Sequence, residues 1–513
     1  MEEWMPPIIT FEEGAVMVET IAPQPHPILH EHGVPLGIYI GGAWEETAPR
    51  FDVFNPSTGD IIAGVSDANA SDGLRALDAA VEAQDGWRRM PPRARADLFH
   101  TAHRLLASRA DAFADIMTLE SGKPRSESVG EFGLSLSFFQ WYAEQIAHIH
   151  GTYSTSSSGG FRVLTTKQPV GPALLITPWN FPMLMNARKG GAALAAGCTV
   201  VLKSASETPL TAALFVSTLE EAGFPPGVVN LIHTSNSAAI SAPLLADWRL
   251  RKVSFTGSTG VGSTLLAQAA GNITNSSMEL GGDGPFIVLD DADIDLAVRE
   301  AINCKFRNAG QACVAANRII LHRDIEAEFT EKFVAAAGAL SVGDGFDEKT
   351  VVGPLINARQ RDRTGRLVED FQTLAGATLL LGGKSIDREG YFFEPTVLSF
   401  PDRKHDLCND EIFAPVAALY TVDSVSAALE FANDTHYGLA AYLFTSDISR
   451  TITLAEGLDF GMVAINRGIM ADPSAPFGGV KSSGLGREGG HDGLDDFLES
   501  KYIALTVDDS PFG

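Results

Sequence analysis

Cysteine is scarce in this sequence, and the cysteines that occur form no pairing pattern. Cys198, Cys304, Cys313 and Cys408 are spread over 513 residues without a CxxC pair. That spacing fits neither a disulfide framework nor a zinc site. The twelve histidines likewise form no HxxxH-type ligand cluster. We therefore predict no metal, and any cysteine with a special role is expected to be a nucleophile.

Long apolar runs and positive charge are also lacking. No stretch approaches the roughly 18 apolar residues that a membrane-spanning helix needs. The first residues are acidic and broken by prolines, where a secretory signal would be basic and then apolar. Lys and Arg number 38 against 64 Asp and Glu, and the net charge of −26 repels phosphate backbones and anionic lipid heads. These features predict a cytoplasmic protein that binds neither nucleic acid nor membrane.

The length predicts two or three domains with large buried cores, since 45% of the residues are hydrophobic and 20% are charged. Residues 1 to about 35 are rich in proline and lack periodicity, which predicts an extended N-terminal arm. An amphipathic helix is expected from Ser71, and a second helical stretch from about Leu98 to Gly122. The Ser/Gly-rich segment 151–160 predicts a loop or an exposed hairpin edge.

After this segment, short apolar runs alternate with helical stretches. The strand-like runs are 173–176, 199–202, 228–232 and 253–255, and the helical stretches are 184–196 and 210–222. This alternation predicts a parallel α/β sheet. A second set of α/β elements follows from residue 285 to about 396. We therefore predict two α/β domains.

A candidate nucleophile lies in the run from Lys305 to Val314. Cys313 stands here on a glycine-containing loop that follows Lys305 and Arg307. Nearby cations lower the pKa of a thiol from about 8.5 toward neutrality. This environment favours a reactive thiolate, although a cysteine between alanine and valine is, by itself, more typical of a buried packing residue.

Two further polar residues stand among rigid or apolar neighbours. Asn180 lies between Trp179 and Phe181 after a predicted strand, where its carboxamide could donate to a developing oxyanion. Glu279 lies in the run Met-Glu-Leu-Gly-Gly, where desolvation would raise the pKa of the carboxyl and make it a usable base. For either residue, an ordinary surface position is the alternative.

A glycine-containing run, Phe255-Thr-Gly-Ser-Thr-Gly-Val-Gly262, follows a predicted strand and precedes a helix. Glycines there let a nucleotide approach the backbone, and the helix N–H groups face its phosphates. The run is not the GxGxxG fingerprint, so a plain tight turn is the alternative.

Taken together, these segments resemble the aldehyde dehydrogenase superfamily. Five elements occur in the family's order: Trp-Asn-Phe-Pro, Phe-Thr-Gly-Ser-Thr, Glu-Leu-Gly-Gly, the Gly-Gln-x-Cys loop, and Glu-Ile-Phe-Ala-Pro-Val from Glu411. The resemblance runs from about Pro35 to about Leu505. Lys-Phe-Arg-Asn before the cysteine loop and Ser-Gly-Leu-Gly-Arg-Glu-Gly from Ser483 most resemble succinate-semialdehyde dehydrogenases.

The resemblance implies a catalytic cycle. Cys313 would attack the aldehyde carbon, and Asn180 with the backbone N–H of Cys313 would hold the oxyanion. The thiohemiacetal would pass a hydride to a nicotinamide and leave a thioester. Glu279 would then activate water to hydrolyse it.

The resemblance also implies a cofactor site for NADP or NAD. Lys203 would reach the adenine ribose and Glu411 the nicotinamide ribose. The groove would be formed by Ile176, Thr177, Pro178, Trp179, Ser206, Gly257, Ser258, Leu280 and Phe413.

The fold implied is α/β of the aldehyde dehydrogenase type. A Rossmann-like dinucleotide-binding domain would comprise residues 36–150 and 170–281, and an α/β catalytic domain residues 282–485. Residues 151–169 and 486–513 would form a small β extension that pairs subunits into a homodimer or homotetramer.

One departure from the family pattern bears on the cofactor. The family's Lys-Pro-(Ser/Ala)-Glu reads Lys203-Ser-Ala-Ser206 here, so the glutamate that normally binds the adenosine ribose is replaced by Ser206, and Glu207 lies one place out of register. Serine with Lys203 can bind a 2′-phosphate, which a carboxylate would repel. NADP is therefore favoured over NAD.

The predicted substrate is a small aldehyde with a carboxylate. Arg188 and Arg307 stand where the succinate-semialdehyde family has carboxylate-binding arginines, and Ser483 matches its supporting hydroxyl. Structural salt bridges are the alternative for the arginines. A broad-specificity aldehyde dehydrogenase is the nearer rival function, and a catalytically silent structural protein on the same scaffold is the rival of another class.

Overall fold

The structure is a computed structural model that describes residues 24–401 and 410–507. Within those residues the chain forms two large α/β sheets, one three-stranded sheet and one β-hairpin. Most of the predicted N-terminal arm, residues 1–23, and the last six residues of the predicted extension lie outside the described residues. The described part of the arm contains the short helix α1 (Pro27–Glu31).

The first sheet has eight strands in the order β19-β11-β10-β7-β8-β9-β1-β2. These strands are β1 (Ile38–Ile40), β2 (Ala43–Glu45), β7 (Ala173–Ile176), β8 (Val200–Lys203), β9 (Val229–Ile232), β10 (Lys252–Thr256), β11 (Asn275–Glu279) and β19 (Gly484–Leu485). The five strands from β11 to β9 are parallel, and the four from β10 to β9 are buried along their whole length, as expected where both faces of a sheet are covered. The predicted parallel sheet is thereby confirmed.

Helices pack against this sheet or against the helices that cover it. They are α2 (Ala70–Arg89), α3 (Pro92–Ser108), α4 (Ala110–Ser121), α5 (Arg125–Gln145), α6 (Pro182–Ala196), α7 (Pro209–Glu221), α8 (Ser237–Ala246) and α9 (Thr259–Ala269). The helix predicted from Ser71 is α2, which begins with a capping box between Asn69 and Asp72. The single stretch predicted from Leu98 is divided at Arg109 into α3 and α4, and α4 ends at the left-handed Gly122.

The second sheet has seven strands in the order β14-β15-β16-β13-β12-β17-β18. These are β12 (Gly284–Val288), β13 (Ala316–His322), β14 (Thr378–Leu381), β15 (Thr396–Ser399), β16 (Val416–Val422), β17 (Ala440–Phe444) and β18 (Met462–Ile465). Its helices are α10 (Ile294–Phe306), α11 (Arg323–Gly338), α12 (Ala358–Thr373), α13 (Val425–Asn433) and α14 (Ile448–Gly457). All pairs except β14 with β15 are parallel, so the second predicted α/β unit is also present.

The remaining strands form two small antiparallel units. A three-stranded sheet has the order β20-β6-β5 and consists of β5 (Thr152–Thr155), β6 (Arg162–Pro169) and β20 (Leu498–Leu505). A hairpin consists of β3 (Arg50–Phe54) and β4 (Ile61–Ser66), and α15 (Gly490–Asp495) leads into β20. The predicted hairpin edge near residues 151–160 is confirmed as β5 and its turn. The domain boundaries stay predictions, and residues 484–485 pair with β11 of the first sheet.

The topology brings several loops to one edge of the first sheet. Parallel strands end at the same edge, so the segments that follow β7, β8, β10 and β11 lie next to one another. Strand order reverses at β7, with β8 on one side and β10 on the other. A crevice at such a switch point is the usual ligand position in open α/β sheets.

Candidate active site

A cavity of about 400 Å³ lies at this edge and is lined by residues of both large α/β units. Nine of the predicted site residues line it: Pro178, Trp179, Asn180, Gly257, Ser258, Leu280, Cys313, Glu411 and Phe413. Eight others lie outside its lining: Ile176, Thr177, Arg188, Lys203, Ser206, Glu279, Arg307 and Ser483.

Cys313 lies on a loop whose backbone is bent by left-handed residues. Asn308 and Ala309 have φ values of 51° and 53°, and Gly310 follows with φ of 72°. A Cβ on Gly310 would lie 2.1 Å from the carbonyl oxygen of Ala414, so only glycine allows the loop to pass this close to the segment after Glu411.

The expectation that cations lower the pKa of Cys313 is wrong for the protein without cofactor. Burial raises the pKa of this thiol to about 12, and the carboxylate of Glu411 is the next largest cause. Arg188 acts in the opposite direction but does not compensate. Neither Lys305 nor Arg307 is among the main causes of the pKa of Cys313. Lys305 is itself buried, and its Nζ has no hydrogen-bond partner among the described residues.

Asn180 is held against the cysteine loop. Its amide Nδ2 donates to the carbonyl oxygen of Gln311 at 3.0 Å. Its backbone carbonyl oxygen accepts from Lys123 Nζ at 2.7 Å and from Asn308 Nδ2 at 3.0 Å. The side-chain amide is thus held by Gln311, and the backbone of the same residue by Lys123 and Asn308.

Glu279 lies at the end of β11 and is buried, so the surface alternative does not apply. Burial raises its pKa well above the ordinary value, as expected, and the neighbouring Glu488 raises it further. Its Oε2 has no hydrogen-bond partner among the described residues. A Cβ on Gly478 would lie 2.7 Å from Glu279 Oε1. The glycine therefore leaves space for the carboxylate.

Glu411 and Phe413 form the cavity wall opposite the Trp179 segment. The Trp179 and Phe413 rings meet edge to face with centroids 5.6 Å apart. Glu411 Oε1 accepts from the backbone N–H of Gly282 at 3.3 Å. Burial raises the pKa of Glu411 to about 7.

The strand ends of β7 and β8 bring Thr177 beside Lys203. The N–H of Thr177, the residue after Ile176, donates to the carbonyl oxygen of Lys203 at 3.1 Å. The ammonium of Lys203 is buried, which lowers its pKa to about 8, and it has no ion pair among the described residues. An unpaired buried cation beside a crevice is suited to an anionic or hydroxyl-rich ligand, so the residues present fit a dinucleotide.

Ser206 and Glu207 line a second cavity of about 280 Å³, together with Asn357, the residue that caps α12. The Ser206 hydroxyl donates to Glu207 Oε2 at 3.1 Å. Glu207, which lies one place out of register in the sequence, therefore accepts a hydrogen bond from the Ser206 hydroxyl. The charge of Glu207 also acts on Lys203.

Two of the three predicted substrate residues have partners within the protein. Arg188 is buried, lies 2.5 Å from Glu488 and stacks over Phe477 at 4.0 Å. The Ser483 hydroxyl donates to the carbonyl oxygen of Gly281 at 2.7 Å and accepts from the N–H of Gly438 at 2.9 Å. Both residues shape the surroundings of Glu279 rather than the cavity wall.

Arg307 differs from Arg188 in having no carboxylate within ion-pair distance among residues 24–401 and 410–507. Its guanidinium lies 5.5 Å from the centroid of the Phe181 ring, and Phe181 is part of the cavity wall. Of the two predicted arginines, Arg307 is therefore the one whose guanidinium is free of an ion pair within the described residues and can bind an anionic ligand.

Several residues that hold the site were missed in the sequence. Lys123 Nζ binds Glu131 Oε2 at 2.5 Å, and Glu131 Oε1 accepts from the N–H groups of Met183 and Leu184 at the start of α6. Such N–H groups have no partner within the helix. No local pattern marks these residues, because the groups that they hold, Asn180 and the start of α6, are more than fifty positions away.

Known proteins with similar sequences decide the family. The sequence profile described as "Aldehyde dehydrogenase family" matches residues 44–503. The chain belongs to the aldehyde dehydrogenase family. The fold is accordingly of the aldehyde dehydrogenase type, as the resemblance implied.

Individual relatives cover nearly the whole of this aldehyde dehydrogenase. A succinate-semialdehyde dehydrogenase of Paenarthrobacter nicotinovorans is 47% identical over 87% of this chain and 99% of that protein. A glutarate-semialdehyde dehydrogenase of Pseudomonas putida is 41% identical over 91% of this chain and 97% of that protein. The crystal structure of an Escherichia coli NADP-dependent enzyme matches with a TM-score of 0.91 and 40% identity, covering 92% and 98% of the two chains.

Neither a metal cluster nor a membrane-spanning helix is found in the described part of the chain. Residues 24–401 and 410–507 contain no group of three or more His, Cys, Asp or Glu side chains placed to hold a metal ion. None of the helices in these ranges is long and apolar enough to cross a membrane.

Proposed function

We propose that this aldehyde dehydrogenase oxidises succinate semialdehyde, or a closely related short carboxylated semialdehyde, to the acid with NADP or NAD. The observation that carries the proposal is Arg307, which packs on Phe181 of the cavity wall and has no ion-pair partner among the described residues. A guanidinium there would bind the distal carboxylate by charge-assisted hydrogen bonds. The names of the two relatives support this substrate class.

In the proposed mechanism, the thiolate of Cys313 attacks the aldehyde carbon and forms a thiohemiacetal. Asn180 Nδ2 has two N–H groups, and one of them donates to the carbonyl oxygen of Gln311. The second N–H can donate to the oxyanion together with the N–H of Cys313. A bound dinucleotide supplies the hydride acceptor. Glu279 takes a proton from water, whose oxygen attacks the thioester and releases the acid and the Cys313 thiolate.

The proposed cofactor site extends from the cavity along the edge of the first sheet. Trp179, Gly257 and Ser258 would line the groove, and Glu411 would bind the nicotinamide ribose. At the adenine end, Lys203 and Ser206 would face the ribose, and Ser206 is the reason to favour NADP over NAD. Ile176, Thr177, Pro178, Leu280 and Phe413 would complete the groove.

Arg188 and Ser483 remain proposed substrate residues, but their polar atoms already bind Glu488, Gly281 and Gly438. We therefore assign the direct carboxylate contact to Arg307. Arg188 would act by supporting the charge balance around Glu279, which lies within reach of its charge.

The test compares a carboxylated with a neutral aldehyde. We expect the parent enzyme to have a higher kcat/KM for succinate semialdehyde than for butanal, and Arg307→Ala to lower that ratio by about tenfold or more. Arg299→Ala, an exposed arginine on α10, is the matched control and should leave the ratio unchanged. A parent enzyme that prefers butanal would contradict the proposal.

Glutarate semialdehyde is a second candidate because one relative bears that name. It is one methylene longer, which a rigid pocket would distinguish by roughly 1–3 kcal/mol. Including it in the same kinetic series, with NADP and with NAD, separates the two semialdehydes. A flat response across all aldehydes would favour a broad-specificity enzyme, and absence of NAD(P)H formation a catalytically silent protein.

We also propose that the protein is a homodimer or homotetramer located in the cytoplasm. The three-stranded sheet exposes large apolar side chains, among them Tyr153 at 67% and Tyr502 at 58%. Contiguous exposed apolar residues are typical of an interaction surface. Sedimentation of the parent and of Tyr502→Asp tests the oligomeric state, since the variant should dissociate.

A further inference from the structure

A carboxylate lies directly behind the segment that carries Arg307. Glu127 is in the first turn of α5, and its Oε2 accepts from the backbone N–H of Asn308 at 2.8 Å. Asn308 follows Arg307 in the chain and also binds the carbonyl oxygen of Asn180. Asn308 therefore links Glu127 to Arg307, its neighbour in the chain, and to the backbone of Asn180.

The charges around Glu127 come from three elements. Lys123 precedes α5, Glu131 lies on α5 with Glu127, and Arg307 acts on Glu127 from the cysteine segment. Lys123 Nζ is bound to Glu131 at 2.5 Å and lies 4.7 Å from the centroid of the Phe181 ring. Both cations act on Glu127, Lys123 more strongly than Arg307. Of the two, Lys123 is held by Glu131, whereas Arg307 has no carboxylate at ion-pair distance among the described residues and lies next to the cavity wall.

We propose that Glu127 is a positioning residue that holds the Arg307 segment and sets how strongly the Arg307 guanidinium attracts a carboxylated substrate. The inference rests on the proposed function, because it takes Arg307 as the carboxylate-binding group. An ionised Glu127 and a substrate carboxylate share the charge of Arg307, and they repel each other. When Glu127 is protonated, it is neutral and no longer competes with the substrate carboxylate for the charge of Arg307.

Protonation of Glu127 does not release the segment that carries Arg307 and Asn308. The carbonyl oxygen of a neutral carboxylic acid still accepts a hydrogen bond, so the N–H of Asn308 keeps its partner in both states. Burial raises the pKa of Glu127 to about 7, and the charges of Lys123 and Arg307 limit the rise. Glu127 is therefore largely neutral below pH 7 and ionised above it, and the attraction for a carboxylated aldehyde should weaken as the pH rises.

The experiment measures kcat/KM for succinate semialdehyde and for butanal from pH 6 to pH 9. The ratio of the two values removes the titration of Cys313, Glu279 and other groups that act on both substrates. In the parent enzyme the ratio should fall with rising pH by about threefold or more, as expected when two carboxylates interact by half a pKa unit. The aldehydes do not titrate in this range.

Two substitutions separate the charge of Glu127 from its hydrogen bond. Glu127→Gln keeps an acceptor for Asn308 but has no charge, so the ratio should stay at the parent's low-pH value throughout. Glu127→Ala removes the acceptor as well and should lower kcat for both aldehydes. Glu144→Gln, an exposed glutamate on the same helix, is the matched control and should reproduce the parent profile.

A parent ratio that does not change with pH would overturn the proposal, and so would the same fall in Glu127→Gln as in the parent. The parent profile needs no variant, so a poorly folded substitution does not leave the idea untested. If the parent prefers butanal at every pH, the proposed function fails first and this inference with it.

Discussion

The guanidinium of Arg188 lies 2.5 Å from the carboxylate of Glu488, and both side chains are almost completely buried. Glu488 also binds Lys189 Nζ at 2.5 Å. Glu279 is subject to the charges of all three. The carboxylate proposed as the base is thus next to a charged cluster that spans α6 and the segment before α15.

This pairing predicts different consequences for the two arginines. Arg188→Ala should destabilise the protein by about 3–5 kcal/mol, because removing one partner of a buried ion pair leaves a buried charge incompletely compensated. Arg307→Ala should change stability by about 1 kcal/mol or less, since no ion pair within the described residues is lost. Urea denaturation at one protein concentration measures both. Equal midpoints for Arg188→Ala and the parent would contradict the assignment.

The proposed roles of Cys313 and Glu279 predict two different kinetic defects. Cys313→Ala should abolish turnover while retaining dinucleotide binding, because the thiol forms the covalent bond. Glu279→Gln should give a burst of NAD(P)H of up to one equivalent per active site and then turn over slowly, since only hydrolysis of the thioester is impaired. Rapid-mixing absorbance separates the phases. Full steady-state turnover by either variant would refute the corresponding role.

The hydrogen bond between Ser206 and Glu207 predicts opposite effects of two substitutions on cofactor choice. Ser206→Glu should shift the kcat/KM ratio toward NAD by about tenfold, because a second carboxylate repels a 2′-phosphate. Glu207→Gln should shift it toward NADP, because the charge nearest to the Ser206 hydroxyl is removed. Glu369→Gln, an exposed glutamate on α12, serves as control. An unchanged ratio in both variants would mean that another residue sets the preference.

The raised pKa of Cys313 predicts how the thiol reacts without cofactor. Below its pKa, the thiolate fraction rises about tenfold per pH unit. With a pKa near 12, alkylation of Cys313 by iodoacetamide should keep rising up to pH 10. Glu411→Gln should accelerate alkylation at pH 8, because that carboxylate raises the pKa. Mass spectrometry reports the Cys313 peptide, and levelling of the parent rate near pH 9 would contradict the prediction.

Much of the fold could be predicted because its signals are local. The strands β7 to β10 are short apolar runs that are buried on both faces, and α6 and α7 each begin at a proline. The long helix α5 has no such signal, since its buried residues are mixed with serines and glutamates around the helix. Its role depends on contacts with α6 and with the cysteine segment.

The sequence indicated nine residues that line the cavity, but it did not indicate how the charges around them are paired. Arg188 and Arg307 look alike in the sequence, yet Arg188 pairs with Glu488 three hundred residues later, whereas Arg307 packs on the Phe181 ring without an ion pair among the described residues. Lys305 and Arg307 suggested a lowered thiol pKa, but burial and Glu411 raise it. Each of these outcomes is set by a partner that is distant in the chain.

The pairing of β19 with β11 has a consequence for biosynthesis. Glu279 pairs with Gly484, and a Cβ on Gly484 would lie 2.0 Å from the carbonyl oxygen of Met278. Until residues 484–485 have left the ribosome, β11 is an open sheet edge, and Arg188 and Lys189 lack Glu488. A nascent chain that has already made Cys313 and Glu279 therefore still lacks the strand and the carboxylate that enclose the base, and the catalytic centre is completed only after the second large sheet has been synthesised.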